Sequence, residues 1–210
     1  MTETGRDVED SAAAAAGAAL WLHALGDTAD AGAHHLKNLL NGVAVNLEVA
    51  RSRSARGADA ASIAPFAATA AERFEAASAV AEALLALVRP EPAPANVSGV
   101  ASRVALLLGG ADDRATVLLS DGGGAGEAVT SVSPEVVRAA VARALLAATG
   151  EPGEVTCETR CAGDILLRVA RADGVAVPLD PALERSLADH GVRTASPPGA
   201  LELAFPAVTR

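Results

Sequence analysis

Aromatic side chains are almost absent from this 210-residue sequence, which has three Phe, one Trp and no Tyr. Its core must therefore be built from Leu, Val and Ala, which favours closely packed helices and offers little for stacking nucleic-acid bases. The formal net charge of −9 also disfavours a polyanionic partner. We expect no nucleic-acid binding. Half of the residues are hydrophobic, so the chain can bury a core as one domain or two small ones.

Cysteine is scarce as well. Cys157 and Cys161 lie four residues apart, and no second Cys or His pair lies nearby to complete a tetrahedral metal site. We expect structural or free thiols here and no metal site. The sequence also lacks an uninterrupted apolar stretch of about 18 residues and a cationic segment ahead of a short apolar run. These absences predict a cytoplasmic protein that is not associated with a membrane.

The first half of the chain has the pattern of a helical hairpin. One helix is expected over residues 11–55, weakened near 26–32, where "GDTADAG" collects poor helix formers. A second is expected from about Ser62, interpreted as its N-cap, to Val88, where "RPEPAP" ends it. The short "SARGADA" connection makes the two helices antiparallel. The Pro-rich stretch predicts a boundary between a helical domain at 11–92 and a second domain at 95–210.

The second half alternates between helical and strand patterns. Helices are predicted at 97–108, at 133–149 with Ser133 as N-cap, and from about Pro181 to Asp189. Strands are predicted at 115–120, 127–132, 154–159, 164–170, 192–196 and 200–205. This order indicates an α/β sandwich, with one sheet covered on one side by helices. The intervening "DGGGAG" at 121–126 is interpreted as a hairpin tip, because no Lys-Ser/Thr follows to make a phosphate loop.

The stretch "AGAHHLKNLLNGVAVNLEV" at 31–49 holds two of the four histidines on one amphipathic helix. Its apolar seam, spaced by four and three residues as in a coiled coil, comprises Leu36, Leu40, Val43, Leu47 and Ala50. The opposite side, about 120° to 180° away at 100° per residue, carries His34, Asn38, Asn41, Val45 and Glu48. An exposed imidazole is a usable nucleophile at neutral pH. The alternative is that these residues are merely the polar face of a surface helix.

The segment "HHLKNLLN" resembles the H-box of two-component sensor histidine kinases. His34 matches the phosphoacceptor, Leu36 the apolar position, Lys37 the basic position and Asn38 the polar position, whereas His35 replaces the usual acidic residue. The second helix is similar to the second dimerisation helix of that family. The resemblance implies a fold of class α+β: an antiparallel helical hairpin that forms a four-helix bundle in a dimer, followed by a degenerate kinase-type α/β sandwich.

The same resemblance implies that the second domain does not bind ATP. The helix at 133–149 looks like the one that carries the family's Asn-rich box, yet both Asn positions fall on alanines, Ala140 and Ala144. In "ADGVA", Ala172 replaces the Asp that reads adenine and Ala176 replaces the second Gly. Between Pro178 and His190 there is no room for an ATP lid. Without these ligands nothing holds Mg²⁺ or the triphosphate, so no cofactor is expected.

A phosphoacceptor hairpin followed by a domain without ATP ligands resembles the dimeric bacterial histidine phosphotransferases. These relay a phosphoryl group between receiver-domain aspartates, and the receiver supplies its own acidic pocket and Mg²⁺. The resemblance implies His34 as nucleophile, Lys37 and Asn38 as its helpers, and a docking face of Asn41, Val45 and Glu48. The expected partners are a second copy of the chain, receiver domains and a sensor kinase.

Two alternatives stay open: a non-catalytic dimeric scaffold, and a phosphatase-like regulator in which Asn38 aligns water on a receiver's aspartyl phosphate. His23 and His190 are expected to be structural, the latter at a helix end. The sequence names neither the cognate regulator nor the upstream kinase.

Overall fold

The fold begins with two long helices that run antiparallel. The computed structural model describes residues 3–91, 93–109, 115–122 and 128–208. The first helix, α1, spans Glu3–Ala55, and the second, α2, spans Ala60–Val88. The predicted N-cap of α2 is wrong by one turn: Asp59 is the cap, and its carboxylate accepts the backbone N–H of Ser62 at 2.8 Å. A carboxylate satisfies one of the free N–H groups at a helix start, which explains the earlier beginning of the helix.

The predicted weak point of α1 at 26–32 is also wrong, because the helix is unbroken there. Small residues lie where other elements approach it closely. A methyl group added to Gly32 would lie 2.9 Å from side-chain atoms of both Leu84 and Leu107, and Ala24 and Thr28 are fully buried. Close tertiary packing therefore outweighs the low helix propensity of this stretch.

The second half contains three further helices, whose predicted ranges are confirmed. They are α3 (Val97–Leu108), α4 (Pro134–Thr149) and α5 (Pro181–Asp189). Ser133 caps α4, and its hydroxyl accepts the N–H of Val136 at 3.5 Å. Two short strands, β1 (Ala95–Asn96) and β3 (Val129–Thr130), pair antiparallel; β1 was not predicted, and β3 is shorter than expected.

The main sheet has five strands in the order β2, β4, β5, β7, β6. Their ranges are β2 (Ala115–Asp121), β4 (Gly153–Ala162), β5 (Asp164–Arg171), β6 (Arg193–Ala195) and β7 (Ala200–Phe205). Strands β2 and β4 are parallel and all other neighbours are antiparallel, so the sheet is mixed. Two helices and then a mixed sheet with helices confirm the predicted α+β class. Residues 123–126 of the predicted hairpin tip lie outside the described residues.

Alternate side chains of the sheet are buried, and the buried face packs on the helices. Val155, Leu167, Val169 and Leu203 lie in the same hydrophobic core as the inner faces of α3 and α4. This core also includes residues of the hairpin: Trp21, Ala24, Val80, Ala83 and Leu87. The part of α1 around Trp21 and Ala24 and the end of α2 are therefore packed into the second half of the molecule. The division into domains at residues 92–95 stays a prediction, and the core crosses it.

No helix within the described residues has an apolar stretch sufficient to cross a membrane.

Candidate functional site

The histidine stretch lies in the middle of α1, where the helix passes from the second half of the molecule onto α2. His34 is exposed, and Asn38, one turn later, is half-buried. The next positions at the same spacing are Gly42 and Asn46, whose side-chain amide donates to the carbonyl of Gly42 at 2.8 Å. His34, Asn38, Gly42 and Asn46 thus form one row along α1, because residues four apart are neighbours on a helix surface. We call this set the histidine row.

The second histidine points elsewhere. His35 is half-buried, and its Nδ1 lies 3.2 Å from the carbonyl oxygen of Leu106, near the carboxyl end of α3. That contact requires the Nδ1–H tautomer as donor and holds the imidazole against the second half of the molecule. The structure therefore separates the adjacent histidines: His34 faces outward and His35 faces α3.

The other predicted site residues occupy the surface around the histidine row. Lys37, Asn41, Val45 and Glu48 are all exposed. Glu48 accepts two hydrogen bonds from Arg51, at 2.7 and 2.9 Å. These hydrogen bonds lower the pKa of Glu48, and the positive charge of Arg51 lowers it further. Glu48 is thus an ionised group paired along its own helix.

One cation close to this row was not anticipated from the sequence. Arg73 of α2 crosses α1 at Gly42, and a methyl group added to Gly42 would lie 2.7 Å from its Cδ and 3.0 Å from its Cζ. The only possible sequence signal was a glycine within an otherwise helical pattern, which often marks a close approach.

A second feature of the hairpin is an exposed apolar stripe. At 100° per residue its two members on α1 lie about 20° apart, and its three members on α2 lie within about 60° of one another. Gly42 lies next to Arg73 and Gly32 lies next to Leu84, so these residues mark the sides on which α1 and α2 face each other. Relative to those facing sides, the apolar residues of both helices are rotated towards the same side of the hairpin. His34 lies about 120° round α1 from this side. The stripe is 46 to 68% exposed and consists of Leu40 and Leu47 on α1 with Phe74, Leu85 and Val88 on α2. Of the other predicted seam residues, Leu36, Val43 and Ala50 are half-buried.

The positions that the resemblance assigns to ATP ligands have other surroundings. Ala140 and Ala144 of α4 are fully buried in the core, whereas Ala172 and Ala176 are exposed in the segment after β5. Arg171 precedes that segment, and its guanidinium donates to the carbonyls of Ala148 (2.9 Å) and Glu151 (3.1 Å). The guanidinium also meets Asp173 at 2.5 Å.

These contacts of Arg171 tie the end of α4 to the end of β5. Hydrogen bonds from Arg171 and from the N–H of Val175 lower the pKa of Asp173 to about 2. The segment is organised by an arginine that links secondary structure elements. In the described ranges no group of three His, Cys, Asp or Glu residues is arranged to hold a metal ion.

A cavity lies between α1, α4 and α5, at a distance from the histidine row. Its volume is about 580 Å³, and its polar lining consists of His23, Arg143, Asp180 and Ser186. Arg143 donates to the carboxylate of Asp27 at 2.8 Å and to the carbonyl of His23 at 2.6 Å. His23 lies eleven residues before His34, and His190 caps the end of α5. Neither histidine joins the histidine row.

Comparison with known proteins gives distant structural likenesses and no family. No protein-family model and no curated protein matches the chain. Among solved structures it is similar to full-length ShkA, a hybrid histidine kinase, in complex with AMPPNP, with 18% identity and a TM-score of 0.38. The match covers 88% of this chain and 46% of the ShkA chain, so this chain spans about half the length of ShkA. This likeness is distant and assigns the chain to no family.

Proposed function

We propose that the chain is a histidine phosphotransferase in which His34 relays a phosphoryl group between receiver-domain aspartates. The observation that carries this proposal is the separation of the two histidines. His34 is exposed on α1, while His35 is held at the carbonyl of Leu106. Of the two imidazoles, that of His34 is the more accessible to a receiver domain that approaches the hairpin from the solvent.

The reaction makes few demands on this chain. An unprotonated imidazole nitrogen of His34 attacks the phosphorus of the aspartyl phosphate, so a P–N bond forms while the P–O bond breaks. The electron pair of the broken bond returns to the aspartate carboxylate. A second receiver reverses the step. Because an acyl phosphate is already activated, the transferase supplies mainly position and orientation. Lys37, one turn from His34, would neutralise phosphoryl oxygens, and Asn38 would orient the imidazole.

The exposed stripe supports a homodimer as part of this proposal. Five large apolar side chains on one side of a hairpin form a patch of the kind that marks an interaction surface. A second hairpin packed on that side would complete a four-helix bundle and leave His34 facing solvent. The docking face of Asn41, Val45 and Glu48 would remain open to the receiver.

The surroundings of α4 support a transferase that does not use ATP. Asparagine at position 140 or 144 would be buried in a core with no room for a nucleotide, and the alanines present offer no ligand atoms. The phosphoryl group would therefore come from a phosphorylated receiver.

The decisive experiment incubates the purified protein with phosphorylated receiver domains and follows acid-labile label on the chain. We expect His34→Gln to abolish labelling and His35→Gln, the matched control, to keep most of it. Equal labelling of wild type and His34→Gln would mean that another residue accepts the phosphoryl group. If no receiver labels the wild type, the scaffold function is favoured. Faster receiver dephosphorylation that survives His34→Gln would favour the phosphatase-like function, with Asn38 as the residue to change next.

A further inference from the structure

We infer that Arg73, resting on Gly42, is a docking residue for the acidic rim around the receiver's phosphoacceptor aspartate. The inference rests on the proposed function. Its starting point is the geometry of the histidine row. The Cδ and Cζ atoms of Arg73 lie 2.7 and 3.0 Å from where a Cβ of residue 42 would be, so the arginine occupies the space that a side chain would fill. The absence of a side chain at Gly42 lets α2 place a cation on α1.

The position of this cation relates it to His34. Gly42 is two turns after His34 in the histidine row, which corresponds to about 12 Å along the helix axis. A receiver that brings an aspartyl phosphate to His34 covers a surface wider than that distance, because specific interfaces occupy about 800 Å² on each partner. Arg73 therefore lies inside the surface that the receiver would cover, beyond Asn38.

The charge distribution favours an acidic partner at this place. Residues 34–75 carry five Lys or Arg and four Asp or Glu, a formal charge of +1, whereas the whole chain carries −9. Residues 34–75, at the tip of the hairpin, would therefore attract an acidic surface, whereas the rest of this acidic chain would repel it.

Most arginines of this region already contact a neighbour. Arg51 pairs with Glu48, Arg53 lies 4.6 Å from the ring centroid of Phe66, and Arg56 donates to the hydroxyl of Ser52. For Arg73, in contrast, no partner carboxylate lies within 4 Å among the residues that the structure describes. Arg73 is an exposed residue, so its guanidinium is available to an incoming carboxylate. The resulting charge-assisted hydrogen bonds are stronger than hydrogen bonds between neutral groups.

The test measures phosphotransfer from an aspartyl-phosphorylated receiver at low ionic strength. Arg73→Glu should lower kcat/KM about five- to tenfold, mostly through KM, because a charge at an interface rim acts on association. Arg73→Lys should retain most of the activity. The difference between Arg73→Glu and wild type should shrink below about twofold in 0.5 M salt, since surface charges are screened. Arg185→Glu on α5 makes the same change in net charge elsewhere and should stay within about twofold of wild type.

A second variant separates docking from helix packing. Gly42→Ala should displace Arg73 and lower kcat/KM about two- to fivefold, while the melting temperature holds or rises because Ala favours a helix over Gly. In an Arg73→Ala background the same change should have no further effect on transfer.

If the wild type accepts phosphoryl groups and Arg73→Glu does so equally fast, this inference is overturned and the proposed function stays intact. Loss of activity that salt does not restore, or that Lys does not rescue, would also overturn it in favour of a packing role. If no receiver transfers to or binds the wild type, the proposed function and this inference both fail.

Discussion

The contact that joins the hairpin to the second half of the molecule centres on Arg138 of α4, and replacing it with Met should be strongly destabilising. Its buried guanidinium donates to the carbonyls of Leu87 (3.0 Å) and Arg89 (3.2 Å), just where α2 ends. Its Nε is 3.3 Å from a carboxylate oxygen of Glu91, although not aligned for a hydrogen bond. The Cζ atom lies 5.4 Å from the ring centroid of Trp21 in α1.

The size of the effect follows from these partners. Two hydrogen bonds from a charged donor contribute about 1.5 to 3 kcal/mol each, and removal of one partner from a buried ion pair costs about 3 to 5 kcal/mol. Glu91 keeps Arg103 as a partner, which limits the loss. We therefore expect Arg138→Met to reduce the free energy of unfolding by about 3 to 5 kcal/mol. For a chain of this size that lowers the melting temperature by roughly 6 to 20 °C.

Urea unfolding at a fixed protein concentration measures this loss, with circular dichroism and the fluorescence of the single tryptophan as two probes. Arg143→Met is the matched control, because Arg143 also bridges to α1 but pairs with Asp27, whose side chain is 61% exposed. An exposed pair contributes little, so the control should lose about 1 kcal/mol. A loss for Arg138→Met no larger than that of Arg143→Met would refute the reasoning, as would separate transitions by the two probes.

Further predictions concern the hairpin and the second half. Leu40→Asp should dissociate the proposed dimer in sedimentation equilibrium, whereas Val45→Asp on the other side should not; a dimer that survives Leu40→Asp argues against the apolar stripe as interface. Calorimetry should detect no Mg-ATP binding at millimolar nucleotide. The pKa of Asp173 falls from 3.8 to about 2 on folding, so the stability it contributes is present above pH 4 and lost towards pH 2. The difference between wild type and Asp173→Asn should vanish over that range. Burial raises the pKa of Cys157 to about 12, so exposed Cys161 should alkylate at pH 8 and Cys157 only after unfolding.

Local signals predicted most of the secondary structure. The Ser133 cap with Pro134 after it predicted the start of α4, and the Pro-rich "RPEPAP" predicted the end of α2 at Val88. The secondary-structure predictions failed where contacts with residues distant in the sequence determine the local structure. The stretch 26–32 has poor helix formers, yet Gly32 is needed there because Leu84 and Leu107 pack against it. Helix propensity alone contains no information about such a contact.

The candidate site divides in the same way. Helical periodicity predicted that His34 and the seam residue Leu40 lie on different sides of α1, because that relation depends only on the helix. The partner of His35 is a carbonyl 71 residues away, and the cation at Gly42 comes from the second helix. Those contacts depend on tertiary packing, so the sequence could suggest His34 as a candidate nucleophile but could not supply its surroundings.

The path of α1 bears on how His34 would acquire a phosphoryl group. The same helix carries the exposed histidine and packs its preceding turns against α4, where Arg143 holds Asp27 and the carbonyl of His23. In the proposed relay the phosphoryl donor is a separate protein, so no part of this chain has to move to reach His34. Here the end of α2 and the part of α1 around Trp21 and Ala24 share one core with the sheet domain, and Arg138 fastens them together. A core fixed in this way is compatible with the proposed relay, in which the phosphoryl group arrives on a separate partner and only that partner has to move.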